Sequence, residues 1–101
     1  MNVSSQAGLL LTLTELVGDV SLKQYAKTDN TMFLGVGTAS YLGLVYLLQY
    51  YLRIANLAIV NGYWDAFSNI LTAIVAMWMG EAISNTQLAG LFIISGGLYL
   101  L

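Results

Sequence analysis

Cysteine, proline and histidine are all absent from the 101 residues, and each absence closes a class of chemistry. Without cysteine there is no disulfide framework and no thiolate ligand. Without histidine no imidazole can bind zinc or act as base for a serine or cysteine nucleophile. Charge is nearly as scarce: charged side chains make up 8% of the chain, against about a quarter in soluble domains. Lys23, Lys27 and Arg53 are the only basic residues in a chain of net charge −2, too few to build the basic surface that nucleic acid requires. What remains for chemistry is carboxylates, amides, hydroxyls and aromatic rings. No cofactor and no metal is called for, and the chain is not expected to be an enzyme.

What the sequence has in abundance is apolar length, with 58% hydrophobic residues. A helix that crosses a hydrocarbon core of about 30 Å needs about 20 mainly apolar residues. Four stretches are candidates, at residues 7–25, 33–52, 57–79 and 84–101, separated by polar breaks at 26–31, 53–56 and 80–85. The first carries Glu15, Asp19 and Lys23, the second no charge, and the third one acid, Asp65. Met1 to Gln6 hold no basic side chain, so the apolar run after them reads as a first helix rather than a cleavable signal. Breaks this short force consecutive helices antiparallel. The expected fold is an all-α integral membrane protein, a single transmembrane domain over 1–101 formed by a four-transmembrane-helix bundle. A soluble helical bundle is the rival, but it needs a polar face on every helix, and the second and fourth stretches have none.

The distribution of basic residues sets no orientation. Lys23 and Lys27 flank the first break, against Arg53 and the terminal amine on the other side, so the positive-inside bias is close to zero. Insertion both ways up would allow an antiparallel, dual-topology homodimer. A partner or a weak residual bias that fixes one orientation is the alternative.

Glu15 falls near the midpoint of the first helix, where an ionised group costs several kcal/mol unless it meets water, a partner or a proton. A proton and a cation would compete for this one carboxylate; a fixed structural pair is the bland alternative. Asp19 and Lys23 follow at four-residue steps, in the favourable order for a helical ion pair. They are read as a salt bridge near the interface, with Lys23 snorkelling toward headgroups. On the third helix Asn61, Asp65, Ser68, Asn69 and Thr72 form a polar stripe bordered by Trp64, which should turn away from lipid. Asp65 and Trp64 are candidates to bind a cation, the indole by cation-π attraction; hydrogen-bonded packing between helices is the alternative, and the one favoured for Asn61, Asn69 and Thr72. Small residues mark close contacts in membranes: Gly35, Ala39 and Gly43 on the second helix, and on the fourth Gly90 and Gly97 with Ile93 and Ile94 between them. That last group is read as a self-complementary dimer seam, or as packing within one chain.

In order and spacing these residues resemble the small multidrug resistance family of the drug/metabolite transporter superfamily, from about Leu9 to Leu101. Glu15 in Glu15-Leu16-Val17-Gly18 matches the family's mid-helix glutamate, and Lys23 its lysine at the helix end. Tyr41 matches a tyrosine of the second helix, Trp64 a tryptophan of the third, and Gly90 to Gly97 the dimerisation motif of the fourth. The resemblance implies an antiparallel dimer that exchanges protons for small organic cations by alternating access. Asn61 stands where drug-exporting members carry a tyrosine, and Asn56 where a proline is common. Ala66 and Ser68 replace helix-bending glycines, and Asp65 is an additional acid that points to a more polar or more highly charged cation.

The function expected from the sequence is therefore proton-coupled cation transport with Glu15 as the shared site and Tyr41, Trp64, Asp65 and Asn61 shaping it. Its partners would be the lipid bilayer of a cell or plasma membrane, which the chain crosses several times, and a second copy of itself or a related chain. The rival is a non-transporting accessory subunit of a larger membrane assembly.

Overall fold

The computed structural model describes residues 2–100; Met1 and Leu101, the ends of the expected domain and fourth helix, lie outside them. The described residues form four α-helices and no strand: α1 (Val3–Thr28), α2 (Thr31–Leu52), α3 (Leu57–Trp78) and α4 (Asn85–Tyr99). This is the all-helical architecture expected, with boundaries set by local hydrogen bonds that the apolar runs do not reveal. Asn2 caps α1 by accepting from the Ser5 amide at 2.7 Å, starting the helix four residues before Ala7. At the other end Asp29 adopts a left-handed conformation, φ 56°, and its amide donates to the Tyr25 carbonyl.

Asparagine also starts the next two helices. The Asn30 side chain accepts from the Met32 amide, and the Asn56 side chain accepts from the amides of Ala58 and Ile59. Each such cap is worth about 1 kcal/mol because it satisfies a donor the helix leaves orphaned. Asn56 thus does by hydrogen bonding what a proline does by restricting φ. Ser84 and Gln87 cap α4 reciprocally: the Ser84 amide donates to Gln87 Oε1 and the Gln87 amide donates to Ser84 Oγ, the arrangement of a capping box.

The helices lie in a flat array, 39 × 35 × 17 Å across its principal axes. α1 packs against both α2 and α3, α2 touches α3 only lightly, and α4 packs on α3 alone. The spatial order is α2, α1, α3, α4. The core is confined to one half, where the N-terminal part of α1 meets the end of α2 and the start of α3: Ala7, Leu11, Leu44, Tyr51 and Val60 are buried there, with Leu47, Leu48 and Trp64 packed around them.

Glycines permit this closeness, though not those the sequence pointed to. A methyl group on Gly8 would lie 2.6 Å from Tyr63 Cβ, and one on Gly37 would lie 2.7 Å from Leu22 Cδ2 and 3.3 Å from the Gly18 carbonyl oxygen. Gly8 brings α1 against α3, and Gly37 brings α2 against α1. Of the expected ridge, Gly35 faces open space among the described residues and Ala39 is exposed, while Gly43 meets α1 only at van der Waals range, 4.0 Å from Thr14 Cγ2.

Among the described residues one helix, α2, is long and apolar enough to cross a membrane. α1 has the length but holds Glu15, Asp19 and two lysines. α3 is interrupted by Asn61, Asp65 and Asn69. α4, with 15 residues, is about 22 Å long, short of the roughly 30 Å hydrocarbon core. The four spans read from the sequence thus reduce to one that meets the length and hydropathy requirement alone.

Candidate functional site

Beyond the packed half, α4 packs on α3 without reaching the backbone of α1. Between the three helices lies a broad, open cleft of about 560 Å³. Glu15 and Asp19 of α1 line it, one helical turn apart. Ser68, Asn69 and Thr72 face them from α3, and Gln87, Gly90, Leu91 and Ile94 supply the α4 wall. The Ser68 hydroxyl donates to Glu15 Oε1 at 2.5 Å, a charge-assisted bond if the carboxylate is ionised. Asn69 is turned back on its own helix, its Nδ2 donating to the Asp65 carbonyl at 2.7 Å. Thr72 Oγ1 is buried with no hydrogen-bond partner among the described residues.

The remaining expected site residues are distributed around this cleft rather than gathered in it. Tyr41, on α2, donates its hydroxyl to Asp19 Oδ1 and lines a separate shallow groove between α1 and α2 with Leu22, Gly37 and Leu44. Trp64 packs against the core; its carbonyl accepts from Thr12 Oγ1 at 3.3 Å, and its indole N–H is buried without a partner among the described residues. Asp65 is exposed and Asn61 half-buried, and neither lines the cleft. The stripe on α3 is therefore divided: its C-terminal members Ser68, Asn69 and Thr72 face Glu15, whereas Asn61 and Asp65 do not.

The seam read on α4 is divided as well. Gly90 and Ile94 line the cleft, while Ile93 is 77% exposed. Among the described residues nothing lies within 4 Å of where a side chain would begin on Gly90 or Gly97.

Asp19 and Lys23 do not form the expected pair. Tyr41 occupies Asp19, and Lys23 Nζ instead meets Glu81 Oε1, in the α3–α4 connection, at 2.8 Å. The bond and charge of Lys23 hold the Glu81 carboxyl below its usual range. The sequence offered a signal for this pair: antiparallel helices place the end of α1 and the connection after α3 at the same end of the molecule. Ser68 was legible as part of a polar stripe but not as the partner of Glu15, since periodicity gives a face and not the register between two helices. Among the described residues no group of three or more acidic side chains is placed to hold a metal ion.

Compared with family models, curated proteins and solved structures, the chain matches none.

Proposed function

We propose that the chain is a multi-pass membrane protein that works as a dual-topology homodimer, exchanging protons for a small organic cation at Glu15, in the manner of the small multidrug resistance family it resembles. The observation that carries this reading is the position of Glu15: an acid in the middle of α1, half-buried, at the wall of a cleft large enough for a small organic cation and lined with hydrogen-bonding groups. An intramembrane acid facing a cavity is a functional group by default, because lipid would not tolerate it otherwise.

Membrane residence is supported by where the apolar surface lies. A core helix of a soluble protein is mostly buried, whereas the apolar window of α2 is 11% buried. Leu42, Val45 and Tyr46 stand on its exposed surface, as do Leu13 and Val17 on α1, Ile74 and Met77 on α3, and Phe92 and Ile93 on α4. Apolar surface spread over every helix suits lipid or further helices rather than water. Neighbouring helices and a second copy would shield the polar groups of α1 and α3 and the short α4. The open glycines of α4 suit a close helix contact with that copy, which would also close the cleft on its open side and bring a second set of Tyr41, Trp64, Asn61 and Asp65 to the assembly.

Exchange follows if a proton and the cation exclude one another at Glu15 and the loaded forms interconvert between facing states. The test is proton release on adding organic cations, including ammonium, guanidinium and polyamine compounds, to the purified protein in detergent between about pH 6 and 9. Native protein should release protons and Glu15→Gln should release none. Absence of release from the native chain with every cation overturns the proposal.

A second reading, a non-transporting accessory subunit, is favoured by one observation: both carboxylates in the cleft already have hydroxyl partners, Ser68 for Glu15 and Tyr41 for Asp19. A strictly monomeric chain in mild detergent that releases no protons would be the result that supports it.

A further inference from the structure

The cleft beside Glu15 holds two acids and, among the described residues, no base. Glu15 and Asp19 both line it, half-buried and four residues apart on α1, while none of Lys23, Lys27 and Arg53 does. Lys23, four residues beyond Asp19, is paired with Glu81; these two and Asp19 border a smaller, open hollow between α1 and α3. No aromatic ring of the described residues lines the cleft either. Opposite the two acids stand hydroxyl and amide side chains, with Ala73, Ala76, Gly90 and Leu91 among the apolar part of the wall.

We infer that the occupant of this cleft is a short α,ω-diamine in its doubly protonated form, one ammonium group on Glu15 and the other on Asp19. The inference rests on the reading of Glu15 as a cation site and deepens it, by making Asp19 the residue that selects a second charge. Charge balance is the first argument. Two carboxylates facing one hollow within a bilayer need two positive charges, and a monocation leaves one acid uncompensated. Exchange of one dication for two protons keeps the cleft neutral in both loaded forms. The chemistry of the wall is the second argument. Quaternary ammonium ions are held by aromatic faces, which this wall lacks. A primary ammonium group instead carries N–H donors that carboxylates recognise through charge-assisted hydrogen bonds. Both acids keep the capacity for this. The Ser68 hydroxyl takes one oxygen of Glu15, and the Tyr41 hydroxyl, coming from α2 and outside the cleft, takes one oxygen of Asp19; an ionised carboxylate has about four acceptor sites. Spacing is the third argument. Side chains four residues apart on a helix stand about 5–6 Å apart at Cβ, the span between the nitrogens of a diamine of about three to five carbons.

The test is calorimetric binding to the purified full chain in detergent near neutral pH, with straight-chain diamines from ethylenediamine to octamethylenediamine and the monoamines of matching length. Affinity should peak at about three to five carbons, where the diamine binds about tenfold more tightly than its monoamine, the contribution of one charged hydrogen-bonded pair. Asp19→Asn, which keeps an oxygen for Tyr41, should flatten the length profile and bring diamine and monoamine within about twofold, since only Glu15 then meets a charge. Asp19→Glu should restore the preference. Asp29→Asn removes the same charge at the end of α1, outside the cleft, and should leave the preference native. The bis-trimethylammonium analogue of the best diamine keeps both charges without an N–H donor and should bind about tenfold more weakly. A native chain that binds diamines no better than monoamines overturns the inference, as does a preference that survives Asp19→Asn or equal binding of the quaternary analogue.

Failure of the underlying reading looks different. Monoamines that bind and release protons, with no advantage for diamines, leave exchange at Glu15 standing and overturn the diamine. Diamines that bind with the Asp19-dependent preference and release no protons support the diamine site and overturn the exchange. No binding of any amine overturns both.

Discussion

The two halves of the α1–α3 pair are built from the same helices and serve opposite ends. In the first half α1 and α3 meet backbone to backbone at Gly8 and Tyr63, and Leu11 and Val60 are wholly buried beside them. In the second half the facing residues are Glu15, Asp19, Ser68 and Thr72, and the helices leave a cleft and a cavity between them. The difference shows how a flat four-helix array can afford a hollow: the dry half fixes the crossing of α1 and α3, and the polar half inherits its geometry from that fixed point. It follows that substitutions in the dry half should alter stability with little effect on the proton release proposed for Glu15, and substitutions in the polar half the reverse.

The strongest way to break that comparison is to hollow the dry half. Leu11→Ala removes a fully buried side chain and should cost about 2–5 kcal/mol, the transfer and cavity terms together, in thermal unfolding of the detergent-solubilised protein. Proton release per folded molecule should remain native. Leu42→Ala, at a position 67% exposed, should stay within about 0.5 kcal/mol. If both changes cost the same, the half around Leu11 is not the anchor.

A smaller effect sharpens the same contrast through glycine. Gly8→Ala places a methyl group 2.6 Å from Tyr63 Cβ and 2.8 Å from its carbonyl carbon, and α3 must move. Overpacking of this kind costs about 1–3 kcal/mol, only partly offset by the roughly 1 kcal/mol that alanine gains over glycine in a helix. Gly35→Ala meets nothing within 4 Å and should keep that gain in full. Chemical denaturation of the two variants side by side checks the order; stabilisation by Gly8→Ala would mean that α1 and α3 are not held at backbone contact.

The sequence made some of this division legible. Four apolar runs between polar breaks were enough to count the helices, because that pattern depends on composition alone. Helix ends were less visible: α1 extends to Val3 and Thr28 because Asn2 and Asp29 supply terminal hydrogen bonds from outside the apolar run. Glu15 could be singled out because its depth in α1 follows from counting residues. Its partner Ser68 could not, since which turn of α3 faces which turn of α1 is decided by the Gly8–Tyr63 contact. Gly35 and Gly43 attracted notice by their spacing, while Gly37 between them makes the tight contact and Gly43 a looser one with Thr14; spacing identifies a face, and only packing decides how closely each position approaches. The i,i+4 order of Asp19 and Lys23 was a sound local preference that tertiary structure overrode, because Tyr41 engages Asp19 and the long Lys23 side chain reaches the end of the bundle where Glu81 lies.

That end of the molecule gives the smallest expected effect, and its sign follows from Glu81. The Lys23 hydrogen bond and charge lower the Glu81 carboxyl below its ordinary value in the folded chain. A carboxyl lowered by folding contributes stability that is present above its unfolded value and is lost as pH falls through the folded one. The native chain should therefore be slightly more stable than Glu81→Gln at neutral pH. The gap should narrow below about pH 4.3, the ordinary glutamate value, and close once Glu81 is protonated in the fold. Because both side chains are about half exposed, salt at about 0.5 M should shrink the gap at every pH. Unfolding curves of the two proteins between about pH 7 and 3 provide the measurement. A gap that persists at low pH and high salt would mean that Glu81 supports the α3–α4 connection by something other than its charge.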